Sequence, residues 1–392
     1  MIKILEKLSS RDLEILNIIQ KKGPITKNNL QAIADIKLTS LNRVMKTLQD
    51  IKIIMEHGES ESTGGRKAIE YDVSQTRFYI IGIDISRTYA QLIITNMKLS
   101  ILSKEEFLMD ESYSPEKTVK NITSIIEQML LDLSIKKNEV LGIGIGTVGP
   151  INREKGIILK PKSFFNTNWI NVHIKAMIEE SIAITCFIDN GANTAVLCEY
   201  LYGNSKKLKS VAYIHCGVGI RSAIIKSGII IRTMNDREDA FGNMIVEYNG
   251  ELSKGGNCGN IESYSSIDSI IKKINSKTKD NTKLISEINY SKTLNSEVHN
   301  NDIATEVVNK GAEILGIGLS NLVRLLNPEL VILSGPLIMN LENYYEKSID
   351  SFYRINTMDN RVTFSKGGRF QKNVIALGAA AMIIEFYLKR SW

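Results

Sequence analysis

The sequence predicts an α/β protein in which a small winged helix-turn-helix domain precedes a larger body of alternating strands and helices. Over residues 1–75, apolar residues recur at helical spacing and are followed by two strand-like runs. From Phe78 onward, β-branched runs alternate with amphipathic or Ala-rich segments, which indicates α/β architecture. With 392 residues the chain is also too long for one hydrophobic core, so we expect two or three domains.

The composition is that of an ordinary globular protein. Hydrophobic residues make up 43% and charged residues 23%, and 49 Lys and Arg against 43 Asp and Glu give a net charge of +6. This modest positive charge permits a nucleic-acid partner without requiring one. No apolar run approaches the ~20 residues that span a bilayer, and the first residues lack a signal-peptide core. The four cysteines show no CxxC spacing. We therefore expect a cytoplasmic protein with no membrane partner and no disulfide framework.

Two helices are predicted at the start of the chain. A first apolar-periodic segment ends at Lys22-Gly23-Pro24, which is a helix stop signal. Thr26 is placed to cap a second helix that carries Leu30, Ile33 and Ala34.

A third helix and a hairpin complete the expected winged helix. The helix is predicted over Ser40–Asp50 with Thr39 as its cap, and its apolar face consists of Leu41, Val44, Met45 and Leu48. The runs Ile51–His57 and Ala68–Val73 flank a polar, Gly-rich loop and predict the two-stranded wing. Helices two and three, joined by a short polar turn, form the helix-turn-helix.

Donor and amide side chains of the kind that read base edges and phosphates lie on the exposed face of the third helix and around it. The candidate DNA-binding residues are Lys27, Thr39, Ser40, Asn42, Arg43, Lys46 and Thr47, with Arg66 and Lys67 at the wing tip. A polar helix face can also be merely solvated, and the charge of this region is nearly balanced. The order of the elements, rather than their charge, favours double-stranded DNA as partner.

Strands and helices then alternate along the body. Strands are predicted at Tyr79–Ile85, Ala90–Thr95, Leu141–Gly146, Ile184–Ile188 and Leu330–Leu333, and helices over Pro115–Leu133 and Ala304–Leu326. Residues 272–302 are polar and predict a short helix plus an exposed, irregular stretch. The strand at Ile184–Ile188 runs into Asp189-Asn190-Gly191, a polar turn before an Ala-rich helix. Because ligands of open α/β sheets bind beyond the carboxyl ends of strands, this turn predicts a pocket floor, although a plain Asp-Asn-Gly turn with no other role explains the same residues equally well.

Several of these segments resemble the ROK family, which contains sugar kinases and sugar-responsive transcriptional repressors. Asp189–Asn193 resembles the family's Asn-Asp-Ala-Asn-Ala region, Thr63–Arg66 its repressors' Thr-Gly-Gly-Arg, and Leu330–Pro336 the strand beside its adenosine site. The resemblance covers nearly the whole chain, including the winged helix that ROK sugar kinases lack. It implies a repressor, of the xylose-repressor or N-acetylglucosamine-repressor type. It also implies a two-lobed actin-like or hexokinase-like (ribonuclease H-like) ATPase fold.

The resemblance also suggests the domain limits. We expect the winged helix over residues 1–75, a first lobe over 76–188 that the C-terminal helix 376–392 rejoins, and a second lobe over 189–375. Gly142–Pro150 is similar to the family's Gly-rich strand and turn, although a buried strand with close backbone packing explains those glycines equally well.

The parts that a ROK kinase needs are altered here. Gly191 stands where the family has the Asp that takes the proton from the sugar hydroxyl, so no catalytic residue is predicted. Loss of a positioned base lowers rates by ~10²–10⁴. Ser86 and Arg87 replace the glycines of the first phosphate loop, Arg221 replaces one of the second, and Ser334 and Pro336 flank the one glycine left at the adenosine loop. We therefore do not expect ATP binding or sugar phosphorylation.

The family's zinc ligands are also replaced. Asn243, Ser253, Gly255 and Asn260 stand where the resemblance places His and three Cys, and Cys258 falls between ligand positions. One thiol cannot build a four-ligand site, so no metal is expected.

Sensing of a saccharide is left open by the sequence. The resemblance implies ligand contacts from Asn166, Asn190, Asn193, Asn243 and Glu262, whereas Ala240 replaces a family Glu. Trp169 belongs either to that pocket or to the core. Either the effector is a modified or larger saccharide, or the pocket has decayed and DNA binding is constitutive. In the first case a homodimer would present its paired heads to a pseudo-palindromic operator, and ligand binding would change their spacing.

Overall fold

The computed structural model describes residues 3–59, 67–161, 164–205, 208–232, 239–252, 258–278, 301–357 and 361–389. The N-terminal head is a winged helix. Its elements are α1 (Lys3–Glu6), α2 (Ser10–Lys22), β1 (Ile25–Thr26), α3 (Lys27–Ala34), α4 (Leu38–Asp50), β2 (Ile54–Glu59) and β3 (Ile69–Val73). The three strands form a small sheet in the order β1-β3-β2. The predicted helix order and hairpin are therefore confirmed.

The head helices agree with the sequence-based expectations at three points and differ from them at two. The helix α2 ends before Gly23, and the Thr26 side chain accepts from the Asn29 N–H at the start of α3, as predicted. The helix α4 begins earlier than expected, because extended Lys37 precedes it, so Thr39 lies inside the helix and does not cap it. Ile33 is exposed rather than buried. The predicted apolar face of α4 is buried as expected.

The first lobe is a five-stranded sheet flanked by helices. Its elements are β4 (Tyr79–Ile85), β5 (Tyr89–Asn96), β6 (Ile101–Leu108), α5 (Pro115–Asp132), β7 (Val140–Thr147), β8 (Ile151–Asn152), β9 (Ile157–Ile158), α6 (Ile174–Ile182), β10 (Cys186–Asn190) and α7 (Gly191–Tyr202). The order is β10-β7-β4-β5-β6, with β10, β7 and β4 parallel. The expected boundary between residues 188 and 189 lies within β10.

The second lobe has a sheet of the same size. Its elements are β11 (Ser210–Cys216), β12 (Ile220–Lys226), β13 (Ile229–Ile231), α8 (Glu262–Ser265), α9 (Ile267–Lys277), α10 (Asp302–Leu326), β14 (Leu330–Ser334), α11 (Pro336–Asn340), α12 (Tyr344–Ile355) and β15 (Thr363–Lys366). The last helix, α13 (Val374–Lys389), returns to the first lobe and packs against its sheet. The strand order is β13-β12-β11-β14-β15. The helix expected at the start of 272–302 corresponds to the end of α9, and most of the expected irregular stretch lies outside the described residues.

Two helices, α7 and α13, pack tightly against each other and against the first sheet. A Cβ atom on Gly144 would lie 1.9 Å from the Ala379 carbonyl oxygen, and one on Gly378 would lie 1.9 Å from that of Thr194. Only glycine permits such approaches. Close packing of α13 on β7, rather than phosphate binding, therefore explains this glycine of the Gly-rich strand.

The head and the body share one hydrophobic core. Buried head residues such as Leu16 and Leu48 belong to the same apolar cluster as Phe78 and Met97 of the first lobe and Ile384 of α13. The head is thus packed against the body and is not loosely tethered to it. Within the part of the chain that the structure describes, no helix combines the length and apolar character needed to cross a membrane.

Candidate DNA interface and ligand cleft

The outer face of α4 carries most of the predicted DNA-reading side chains. Those exposed on it are Thr39, Ser40, Asn42, Arg43 and Lys46. Thr47 differs, because it is half-buried and its hydroxyl donates to the Arg43 carbonyl at 3.1 Å. The face therefore offers hydroxyl, amide, guanidinium and ammonium donors from a single rigid helix, as major-groove recognition requires.

A contact between helices orients one of these side chains. Lys27 Nζ at the start of α3 donates to Asn42 Oδ1 at 3.1 Å and also lies 5.4 Å from the centre of the Tyr71 ring. Because the amide oxygen of Asn42 accepts this hydrogen bond, its NH₂ group is the part of the side chain that can donate to an external acceptor. Lys67 is exposed before β3, whereas Arg66 lies outside the described residues.

The second candidate site lies where β10 meets α7, around Asp189, Asn190 and Asn193, and we call it the cleft. Asp189, at the carboxyl end of β10, is fully buried. Its Oδ1 accepts from Asn193 Nδ2 at 2.9 Å and from the Asn190 N–H at 2.7 Å. Arg232, just after β13, donates to both carboxylate oxygens, with Nη1–Oδ1 at 3.2 Å and Nη2–Oδ2 at 2.7 Å. Arg232 was not predicted from the sequence, because it follows an Ile-rich strand and belongs to no motif.

A second arginine faces the first turn of α7. A Cβ atom added to Gly191 would lie 3.5 Å from Arg221 Nη1, which is ordinary contact distance. Arg221 is only 4% exposed and pairs with His215 across β12 and β11. Burial, and then the positive charges of Arg221 and Arg87, lower the pKa of His215 well below its usual value. His215 is therefore neutral at pH 7.

A third arginine reaches the cleft from the first lobe. Glu262 Oε2 accepts from the Ile220 N–H at 2.8 Å, beside the turn between β11 and β12. A Cβ atom on Gly219 in that turn would lie 2.9 Å from Glu262 Oε2 and 3.4 Å from Arg87 Nη2. Arg87 of the β4–β5 turn thus brings a positive charge against the second lobe at this point.

The other predicted ligand residues lie in different local settings. Asn190 is buried, and its Oδ1 would lie 2.5 Å from a Cβ atom on Gly149 at the end of β7. Asn166 Nδ2 donates to the Glu111 carbonyl at 2.8 Å, and its Oδ1 accepts from the Asn168 N–H at 3.0 Å. Among the described residues, the Asn166 side chain thus hydrogen-bonds to the backbone of Glu111 and Asn168.

The remaining predicted positions belong to structural networks. Trp169 is buried in the core of the first lobe, and its ring stacks on Phe164 with centroids 4.7 Å apart. Asn243 Oδ1 accepts from Asn260 Nδ2 at 3.2 Å, and Asn260 Oδ1 in turn accepts from the Ser263 N–H at 2.8 Å.

Comparison with known proteins decides the family. The sequence profile of the ROK family matches residues 80–385, which is most of the chain. The chain belongs to the ROK family. Among its relatives, the xylose repressor of Bacillus subtilis (strain 168) is 26% identical over 381 residues, covering 95% of this chain and 94% of the repressor.

Two solved ROK structures show the same fold. A ROK family transcriptional regulator described as a homologue of the Escherichia coli MLC protein superposes with a TM-score of 0.76 at 19% identity, covering 96% of both chains. A ROK hexokinase from Thermus thermophilus superposes with a TM-score of 0.65 at 20% identity. It covers 80% of this chain and 100% of the hexokinase chain. The part unmatched by the hexokinase is about the size of the head.

In this ROK protein, the two described residues at the expected zinc positions bond to each other. Asn243 and Asn260 make the direct contact described above, while Ser253 and Gly255 lie outside the described residues. Among the described residues, no group of three or more His, Cys, Asp or Glu side chains is placed to hold a metal ion. An amide–amide hydrogen bond thus joins the segments before and after residues 253–257.

A cavity of ≈ 380 Å³ lies beside the loop that follows β14. Its walls are formed by β5, β11, α11 and the start of α13, and include Tyr89, Gln91, Tyr213, His215, Pro336 and Met339. The carboxamide oxygen of Gln91 and Nδ1 of His215 are buried there without a hydrogen-bond partner in the described part of the chain. The cavity adjoins the expected adenosine loop.

Proposed function

We propose that this ROK protein is a sugar-responsive, DNA-binding transcription regulator, and specifically a repressor of carbohydrate-utilisation genes. The observation that carries the proposal is the donor-rich face of α4 on a winged helix that shares its core with the ROK body. A head packed in this way can respond to the conformation of the body, which a loosely tethered head would not do. The similarity to a xylose repressor over almost the whole chain supports the same conclusion.

We propose that two copies of this protein bind DNA together. A winged helix reads a short half-site, and two α4 helices in successive major grooves double the contact area on a pseudo-palindromic operator. We therefore propose a homodimer, with Arg43 and Lys46 at base edges or phosphates and Lys67 anchoring the wing.

The body is proposed to bind a ligand without transferring phosphate. Gly191 leaves the first turn of α7 without a carboxylate, and the Arg221 guanidinium lies where such a group would point. A carboxylate beside a guanidinium is held ionised but loses basicity, so the geometry disfavours proton abstraction even if the side chain were restored. Arg87 adds bulk at the phosphate turn.

Saccharide binding depends on the polar side chains that remain in the cleft. Asn193 and Glu262 each carry oxygen or amide groups that accept or donate to sugar hydroxyls. We propose a saccharide effector that differs from a simple hexose, because the side chains at 191 and 240 no longer contribute hydrogen bonds.

Constitutive DNA binding is the second candidate function. It is favoured by Arg232, which already satisfies both oxygens of Asp189 and so occupies a carboxylate that a sugar would otherwise use.

The DNA-binding part is tested by selecting duplexes from a random pool with the full chain and measuring affinity for the selected sequence. Arg43→Ala should weaken binding by roughly 5- to 150-fold, the range for a base-contacting arginine. Arg11→Ala is the matched control, because Arg11 is an exposed head arginine that pairs with Glu14 on α2. Equal affinities of the two variants would show that α4 is not the reading surface.

A further inference from the structure

A single helix joins the ligand cleft to the DNA-binding head. The helix α7 starts at Gly191, directly after the Asp189–Arg232 pair, and ends at Tyr202. Residues 191–199 are all buried, so the helix runs through the interior rather than over the surface. Twelve residues at 1.5 Å per residue make it about 18 Å long. One end of α7 therefore lies at the cleft, and the other lies at the DNA-binding head.

The head end of α7 is held by a buried amide. The Tyr202 hydroxyl donates to Gln20 Oε1 at 3.2 Å, and Gln20 Nε2 donates to the Met97 carbonyl at 2.8 Å. Gln20 belongs to the last turn of α2 and is 2% exposed. Burial, and then the nearby Glu385, raise the pKa of Tyr202 well above its usual value. Tyr202 therefore remains a protonated donor at any pH at which the protein works.

A parallel contact comes from α13. Lys21, the residue after Gln20, pairs with Glu385 at 2.8 Å, and Glu385 is 2% exposed. The close approach of Gly378 to the Thr194 carbonyl locks α13 against α7 near the cleft. Two consecutive residues of α2 are thus fastened to two helices that pack on each other and cannot shift independently.

From α2 the connection continues to the reading surface. Leu13 and Leu16 of α2 and Leu41 and Leu48 of α4 belong to the same buried cluster. A displacement of the last turn of α2 therefore changes the position of α4, since a close-packed core transmits strain rather than absorbing it.

We propose that the Tyr202–Gln20 hydrogen bond is the contact that couples the ligand cleft to the DNA-binding head. A change at Asn193, at the cleft end of α7, is carried along the helix to Tyr202 and from there to α2 and α4. This inference rests on the proposed function, because it assigns the route by which cleft occupancy reaches the head. Coupling of this kind requires that a change at one end alters the other only while the contact is intact.

The test is a double-mutant cycle with Asn193→Ala at the cleft and Tyr202→Phe at the head. Tyr202→Phe removes the hydroxyl and keeps the ring, and thermal unfolding of each variant reports whether it is folded. Tyr200→Phe is the matched control, since it is the same change on the same helix and the Tyr200 hydroxyl makes no hydrogen bond with the described residues. The readout is amide hydrogen exchange of α2 and α4 in the ligand-free full chain.

We expect Asn193→Ala to raise exchange in the last turn of α2 by ~2- to 10-fold, the factor that corresponds to one net hydrogen bond. In the Tyr202→Phe background the same change should have less than about a twofold effect, whereas in the Tyr200→Phe background it should keep its full effect. An equal response to Asn193→Ala in all three backgrounds would overturn the proposal, as would no response in any of them.

The same four proteins of the cycle are then compared for affinity to the selected duplex DNA. Non-additive affinities support the coupling route, and additive affinities contradict it while leaving DNA binding established. If no duplex is selected, the proposed function fails, but the exchange cycle still decides whether α7 couples the cleft to the head.

Discussion

Removal of the Lys98 ammonium should allow the head to unfold before the body. Lys98 lies in the turn between β5 and β6, and its Nζ donates to the Gly23 carbonyl at 2.8 Å, to Asp72 Oδ1 at 3.0 Å and to the Gln20 carbonyl at 3.3 Å. The side chain of Asp72 is 5% exposed and that of Lys98 is 22% exposed. One cation from the first lobe thus ties the end of α2 to the wing strand β3.

The structure allows the effect of Lys98→Met to be bounded. Loss of one partner of a buried ion pair costs ~3–5 kcal/mol when both groups are fully buried. Because Lys98 keeps some contact with water and Asp72 Oδ1 retains the Val73 N–H as donor, we place the loss at about 2–3 kcal/mol. The methionine preserves the apolar stem, so the loss reports on the charge.

Urea unfolding followed by circular dichroism measures this effect. We expect one cooperative transition in the natural chain, because head and body share a core. In Lys98→Met an earlier transition of the head should appear, together with faster proteolysis between β3 and β4. Addition of Asp72→Asn removes the stranded charge and should recover part of the loss. An unchanged single transition in Lys98→Met would refute the view that this cation fastens the head.

Three further predictions concern the cleft and the second lobe. Gly191→Asp should give no sugar-dependent ADP formation, because the new carboxylate would pair with Arg221; measurable turnover would contradict this. Since the pKa of His215 is lowered in the folded chain, only the unfolded chain gains its proton below about pH 6.5. As the pH is lowered below about 6.5, the free energy of unfolding of the natural chain should then fall by about 1.4 kcal/mol per pH unit more than that of His215→Gln. Urea titrations that give the two proteins the same dependence of unfolding free energy on pH would disprove this prediction. Excess chelator should leave the melting temperature unchanged, because the Asn243–Asn260 bond replaces a metal link; a drop would indicate a bound ion.

The head was predictable from sequence because its determinants are local. The stop at Gly23, the cap at Thr26 and the buried face of α4 each depend on residues within one turn of each other. The cap at Thr39 was wrong because left-handed Asp35 turns the chain two residues before extended Lys37, so that α4 starts at Leu38. Propensity alone does not reveal where a turn ends.

The cleft was predictable only in part. The identities of Asn190, Gly191 and Glu262 mark the site, because they fall in motifs along the sequence. Arg232, the arginine that pairs with Asp189, falls in no motif, and the two residues are 43 positions apart in the sequence. The junction between head and body is further still from any local pattern, because Tyr202 and Gln20 are 182 residues apart. Such pairs are defined by the folded core and by no spacing in the chain.

Titration of saccharides against the full chain bound to its selected duplex DNA, with fluorescence anisotropy of the DNA as readout, tests the sensor role most directly. D-xylose is the first probe, followed by N-acetylglucosamine and larger or modified saccharides. We predict that at least one saccharide lowers the DNA affinity by roughly 5- to 150-fold, the usual range of allosteric coupling. Tight, sequence-selective binding that no saccharide changes would contradict the sensor role and leave a constitutive DNA-binding protein.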